Sequence, residues 1–201
     1  MNITAQQKAT CPFESGALKL SPDFLVTQYC DELFTELLNE NHWNRGSYVI
    51  SGRRFLMPRF QTWYADPGIR YNFSYDLHRQ RDWTPALYQL KQAVESRCND
   101  KFNSVLINWY RDGYDWVDWH SDNERELGVH PVIASVSLGA TRQFLYRDKY
   151  LPCSQSVELR SNSLLIMNPD FQKYWQHSIP LQREIIEPRI NLTFRHVVMP
   201  S

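Results

Sequence analysis

The chain has 201 residues, 42% hydrophobic and 22% charged, and its 22 basic side chains balance 22 acidic ones to a formal net charge of zero. That balance excludes a disordered or collagen-like polymer and a protein basic over its whole surface, but not one with a local basic patch. No run approaches the roughly 18 apolar residues that span a bilayer, and the start, MNITAQQKATC, has no apolar signal core, so a cytoplasmic protein without a membrane partner is expected.

In chain order, residues 1–20 are polar and mixed and read as a flexible arm ahead of a single domain over 21–201. Thr27 is placed to cap a helix over about 28–40, with Tyr29, Leu33, Phe34, Leu37 and Leu38 on its apolar face. Residues 45–65 follow, with Arg45, Arg53, Arg54 and Arg59 and no acidic residue. Phe55, Phe60, Trp63 and Tyr64 are interleaved with these arginines, a pattern suited to phosphates and stacked bases, although an arginine cluster is more often a solvated face. A second helix starts at Thr84-Pro85, with proline at the first helical position, and runs to about Cys98; Ala86, Leu87, Leu90 and Val94 face inward.

From Phe102 the pattern becomes short apolar or alternating runs, at 104–110, 132–138, 142–147, 156–160, 163–167 and 189–198. Asp112-Gly113, Gly139 and Asn168-Pro169 separate some of them. Strands fronted by two helices predict an α+β, mainly β fold: a jelly-roll core buttressed by helices. Cys11, Cys30, Cys98 and Cys153 have no metal-binding spacing and are expected as reduced thiols.

Within this frame, His120-Ser121-Asp122 places an imidazole and a carboxylate two residues apart. On an extended strand both point the same way, and His177 can complete a set of three ligands. Two histidines and one carboxylate form the facial set that leaves open positions on Fe(II). Structural zinc prefers four protein ligands, often cysteines, yet zinc also binds such sites tightly. In the last strand Arg189, Asn191, Thr193 and Arg195 share one face, and Ile190, Leu192 and Phe194 the other. Two guanidinium groups on a buried face call for an organic diacid, one carboxylate taken by an arginine and the other end on the metal. Asn108 and Tyr110, also two apart, offer further contacts. The same parity fits an edge strand with a solvated side.

Together these residues resemble the AlkB family of Fe(II)/2-oxoglutarate-dependent nucleic-acid dealkylases. The resemblance runs from about residue 56 to 197. It rests on Asn108-x-Tyr110, WHSDNE at 119–124, IASVSLGATRQF at 133–144, SLLIM at 163–167, WQHSIP at 175–180 and PRINLTFR at 188–195. It implies a double-stranded β-helix, with His120, Asp122 and His177 as iron ligands and catalytic centre. Arg189 would hold the distal carboxylate of 2-oxoglutarate, Arg195 would lie near the metal-proximal end, and Asn108, Tyr110, Asn191 and Thr193 would complete that site. The implied reaction uses O2 and removes alkyl groups from bases of the 1-methyladenine and 3-methylcytosine type, in DNA and possibly RNA. It yields formaldehyde, succinate and CO2.

The resemblance also implies a nucleotide-recognition lid over about 45–75. Arg59, Gln61 and Tyr64 lie in it, Tyr71 and Phe73 wall the base pocket, and Asn123 and Glu124 stand beside the base edge. Duplex-repairing members carry an aromatic wedge just ahead of the lid; here the matching stretch is Ile50-Ser51-Gly52, with serine at the wedge. A single-stranded substrate is therefore expected over duplex, for a monomeric enzyme. The alternatives are the same iron chemistry on a small molecule, a protein or modified RNA, and a catalytically silent binding module. Asp122→Ala is expected to abolish turnover while leaving folding largely intact.

Overall fold

The computed structural model describes residues 17–40, 42–69 and 80–198. Twelve strands and three helices occur among them, in the order β1 (Leu18–Ser21), α1 (Thr27–Leu38), β2 (Ser47–Ile50), β3 (Arg53–Leu56), β4 (Phe60–Ala65), α2 (Pro85–Cys98), β5 (Ser104–Tyr110), β6 (Val117–His120), β7 (Ile133–Gly139), β8 (Arg142–Asp148), β9 (Ser154–Leu159), β10 (Ser163–Met167), α3 (Phe171–Tyr174), β11 (Trp175–Ile179) and β12 (Arg189–Arg195). β1-β10-β7-β12-β5-β4 form a six-stranded sheet, β6-β11-β8-β9 a four-stranded sheet, and β2-β3 a separate hairpin. All the named pairings are antiparallel. The two larger sheets face each other as a jelly roll, in agreement with the expected class.

Strand parity explains the layering. On β12, Ile190, Leu192 and Phe194 are fully buried against α1 and α2, where Leu33, Leu37, Leu87, Leu90 and Val94 meet them. The alternate residues point between the sheets. There Leu106, Ile133, Leu165 and Met167 of the larger sheet pack against Phe144, Trp175 and Ile179 of the smaller one. Both faces of the larger sheet are thus covered, so its strands read as nearly continuous apolar runs. β12 is no edge: it pairs with β5 on one side and β7 on the other.

Several expectations change. Leu18–Ser21 pairs with β10, so the sheet begins inside the segment read as a flexible arm. The cap of α1 is Val26, without a side-chain bond, whereas Thr84 caps α2 by accepting from Leu87 N at 3.2 Å. Residues 60–65 of the expected lid form an integral strand, because β4 pairs with β5 along its whole length. Tyr71 and Phe73 lie outside the described residues. Cys30 and Cys98 are free, but Cys153 is disulfide-bonded, contrary to four reduced thiols.

The loop after β5 is pinned to the loop after β11. Gly113 N donates to Ile185 O at 2.8 Å, and Gln182 N donates to Gly113 O at 3.0 Å. Fully buried Arg142 strengthens the crossing, donating to the carbonyls of Asp112, Asp115 and Pro180. A Cβ at Gly113 would lie 1.7 Å from Gln182 O, a backbone atom that cannot swing aside. Gly113→Ala should therefore cost at least about 2 kcal/mol. An unchanged denaturant midpoint for this variant would show that the two loops are not locked together.

Candidate metal and dicarboxylate site

β6 and β11 pair so that His120 lies directly opposite His177, with ring centroids 4.2 Å apart. Asp122 lies beyond the end of β6, so strand parity alone does not place it. Its backbone N–H donates to Oε1 of buried Gln172 at 2.9 Å, and Ser121 Oγ donates to Trp175 O at 2.7 Å. These bonds turn Asp122 inward. Ligand atoms of His120, Asp122 and His177 all fall within 4.8 Å of one another.

The electrostatics favour a cation among them. His120 Nδ1 lies 2.8 Å from the carbonyl of Asp118, an acceptor, so it carries the proton and Nε2 presents a lone pair. That Nε2 stands 3.6 Å from Asp122 Oδ1, which has no hydrogen-bond partner. Two acceptors facing each other need a cation between them. Burial, and then His120, push the His177 imidazole down to about 3, which disfavours filling the gap with a proton. Burial alone would raise the Asp122 carboxyl. Arg195, at 2.8 Å, with His177 and His120, outweighs it and holds the group well below the usual carboxylate range. Neutral imidazoles and an ionised carboxylate are the forms that bind a divalent metal.

A cavity between the sheets reaches this cluster and is lined by Arg59, Arg189 and Arg195, with Asp122 its only carboxylate among the described residues. Arg189 is 1% exposed. Its Nη2 donates to Ser137 Oγ at 2.9 Å, while Nε and Nη1 have no acceptor of proper geometry. Burial pushes this guanidinium down to about 10, even with the Tyr110 phenol beside it. Tyr110 itself is bracketed by Arg189 at 5.2 Å and Arg142 at 5.6 Å from its ring. A buried, half-satisfied guanidinium fits a bidentate carboxylate, and the donor set of the cluster fits Fe(II).

The other expected residues divide. Asn108 and Tyr110 line the cavity. Asn191 and Thr193 line it too, but bond one another and Ser135, so they hold the wall together. Arg59 is buried against Asn108 rather than standing in a surface strip. Gln61 is fully buried, and Tyr64 points across the sheet into the helix-side core, so neither is an open base contact. Asn123 is exposed and Glu124 half-buried just after the carboxylate ligand. Gln172, Ser137 and Arg142 were not singled out from the sequence. Gln172 sits on a single helical turn and carries no motif; only Arg142, a charge opening an apolar strand, left a trace.

The family model described as "2OG-Fe(II) oxygenase superfamily" matches residues 17–195. Alpha-ketoglutarate-dependent dioxygenase alkB homolog 3 of Bos taurus is 37% identical over 188 residues, 89% of this chain and 65% of that protein. The chain thus spans just under two thirds of that relative's length. DNA oxidative demethylase ALKBH2 of Homo sapiens is 37% identical over 180 residues, covering 84% of this chain and 69% of that protein. The solved structure of OsALKBH1 overlays with a TM-score of 0.63 at 19% identity, covering 90% of this chain and 98% of that one, a likeness of fold.

Removing Asp122 deprives the metal of a ligand and buried Arg195 of its carboxylate. Asp122→Ala should weaken Mn(II) binding by more than about a hundredfold. Contrary to the expectation of largely intact folding, it should also cost about 3 kcal/mol of stability. Calorimetric titration and denaturant unfolding measure the two effects; wild-type metal affinity in this variant would remove Asp122 from the ligand set.

Proposed function

The chain belongs to the 2OG-Fe(II) oxygenase superfamily, in its AlkB branch, and from that premise we propose that it reverses N-alkyl damage to nucleic-acid bases oxidatively. The lesions are of the 1-methyladenine and 3-methylcytosine type, in DNA, with RNA a further candidate substrate, and the products are formaldehyde, succinate and CO2. The observation that carries this reading is one cavity in which a His-Asp-His cluster faces a buried arginine whose Nε and Nη1 have no acceptor of proper geometry. The identity of the human relative as a DNA oxidative demethylase supports a DNA substrate.

His120, Asp122 and His177 would hold Fe(II), and Arg189 would grip the distal carboxylate of 2-oxoglutarate. With O2, bound Fe(II) and 2-oxoglutarate would supply the oxidant that hydroxylates the N-alkyl carbon. The chain's own residues orient and insulate. Arg195 keeps Asp122 ionised. Phe144, Leu106, Met167 and Ile179 give the cavity dry walls, which strengthen every charge interaction inside. The hydroxylated N-alkyl group then leaves the base as formaldehyde: the C–N bond breaks, the ring nitrogen keeps the electron pair and the hydroxyl proton is released.

Chemistry on a base edge requires an unpaired nucleotide. The face suited to its backbone is the β2-β3 hairpin with the loops behind it. Arg53 and Arg54 are exposed there, and Phe60 lies between Arg45 at 5.7 Å and Arg111 at 5.4 Å. The hairpin turns at Ser51 and Gly52, both with positive φ, and carries no aromatic at its tip; Tyr48 and Phe55 stack on each other at 5.7 Å. This supports single strands as the preferred substrate, since the hairpin tip offers no ring to hold a duplex open. The enzyme is taken to act as a monomer.

Formaldehyde release from methylated oligonucleotides, dependent on both Fe(II) and 2-oxoglutarate, tests the activity. Single-stranded DNA should turn over at least about threefold faster than the same lesion in duplex, given an unstacking cost of a few kcal/mol. Faster duplex repair would overturn the strand preference. No formaldehyde from any methylated strand would overturn the activity.

A further inference from the structure

Asn108 stands in the cavity wall on β5, with Gln61 of β4 beside it in register on one side and Asn191 of β12 on the other. Its Oδ1 accepts two hydrogen bonds, from Arg59 Nε at 3.0 Å and from Gln61 Nε2 at 2.8 Å. An arginine can only donate, so the amide has one admissible orientation with respect to Arg59: oxygen toward β4. Gln61 must then present its own NH2 to that oxygen, which leaves Gln61 Oε1 buried without a partner. A fully buried glutamine that leaves its carbonyl unsatisfied is held there by the bond its nitrogen makes.

We infer that Arg59 and Gln61 are positioning residues for the co-substrate: they lock the Asn108 amide so that its NH2 faces the cavity and donates to the dicarboxylate. Left to itself, an asparagine beside an anion-binding cavity samples both amide orientations, and one of them aims an oxygen at the carboxylate. The two donors, Gln61 on β4 and Arg59 just ahead of it, remove that orientation. They also tie the recognition hairpin, three residues upstream of Arg59, to the wall of the dicarboxylate site through one short strand. The inference rests on the oxygenase reading of the cavity. It reassigns two residues of the nucleotide-recognition segment from the base to 2-oxoglutarate.

The test is anaerobic calorimetric titration of the Fe(II)-loaded protein with 2-oxoglutarate, alongside fluorescence anisotropy with a methylated single strand. Gln61→Met keeps the volume and removes the donor, and its thermal midpoint is checked first. Arg59→Lys, which keeps a cation, serves as the second variant. With the neutral Gln61 amide donor gone, Asn108 is held by Arg59 alone, and the resulting tilt of its NH2 away from the carboxylate should weaken 2-oxoglutarate binding about tenfold in Gln61→Met. Oligonucleotide affinity should not change. In an Asn108→Ala background the same substitution should add nothing, because the group it orients is gone. Weakened oligonucleotide binding with unchanged 2-oxoglutarate affinity would overturn the inference and return both residues to the base. An effect that persists in full in the Asn108→Ala background would overturn it equally, marking general loosening of the wall. Absence of 2-oxoglutarate binding to the wild-type protein is a different result, and sinks the oxygenase reading on which the inference stands.

Discussion

Asp122 is 1% exposed and lies against Arg195 and the rings of His120 and His177, and the Arg195 guanidinium is what keeps its carboxylate ionised. Each of those three comes from a different part of the chain: the last strand of the larger sheet, and two neighbouring strands of the smaller one. The two sheets must therefore close on each other for the charge to be tolerated at all. Conversely, the paired charges fix how they close, because sliding β12 by one residue would replace Arg195 with Phe194 or His196. Gln172 adds the backbone bond that sets the carboxylate's direction, and Arg142 locks the loops at the far end of the cavity.

Around this centre the cavity carries more positive than negative charge. Arg59, Arg189 and Arg195 face one carboxylate, and a divalent metal would add to the excess. Such a site is stable only if the scaffold that builds it is strong elsewhere. That strength comes from the apolar layers on both faces of the larger sheet, where Ile190, Leu192, Phe194, Leu87 and Leu90 are fully buried. Of the three cations inside, Arg189 is supported by a neutral oxygen, Ser137 Oγ, which leaves it able to take an anion where a protein carboxylate would otherwise have occupied it.

The segment before the second helix serves two ends. Its hairpin is exposed on both faces and shows arginines to solvent, while β4, a few residues later, is an integral part of the larger sheet. On the function proposed, substrate recognition and co-substrate binding would share one continuous stretch of chain. The hydrogen bonds from Arg59 and Gln61 to Asn108 are the physical link between them.

The amino-acid sequence determined the layering and the chemistry of the ligands. The alternation in 189–195, the strand runs from 104 onward and Thr84-Pro85 each state a local rule that holds wherever the segment is placed, so they could be read directly. The residues of the metal cluster were legible for the same reason, as was Arg189. Tertiary structure alone decided which polar side chains face the cavity and which are consumed in holding it. Gln61 and Tyr64 sit three residues apart on one strand and so point to opposite faces, a consequence of β4 joining the sheet. Asn191 and Thr193 satisfy each other, and the direction of the Asn108 amide follows from donors 47 and 49 residues away. Local pattern fixes what a residue can bond. Only the packed chain fixes which partner arrives, because those contacts join segments whose separation along the sequence carries no signal of their distance in space.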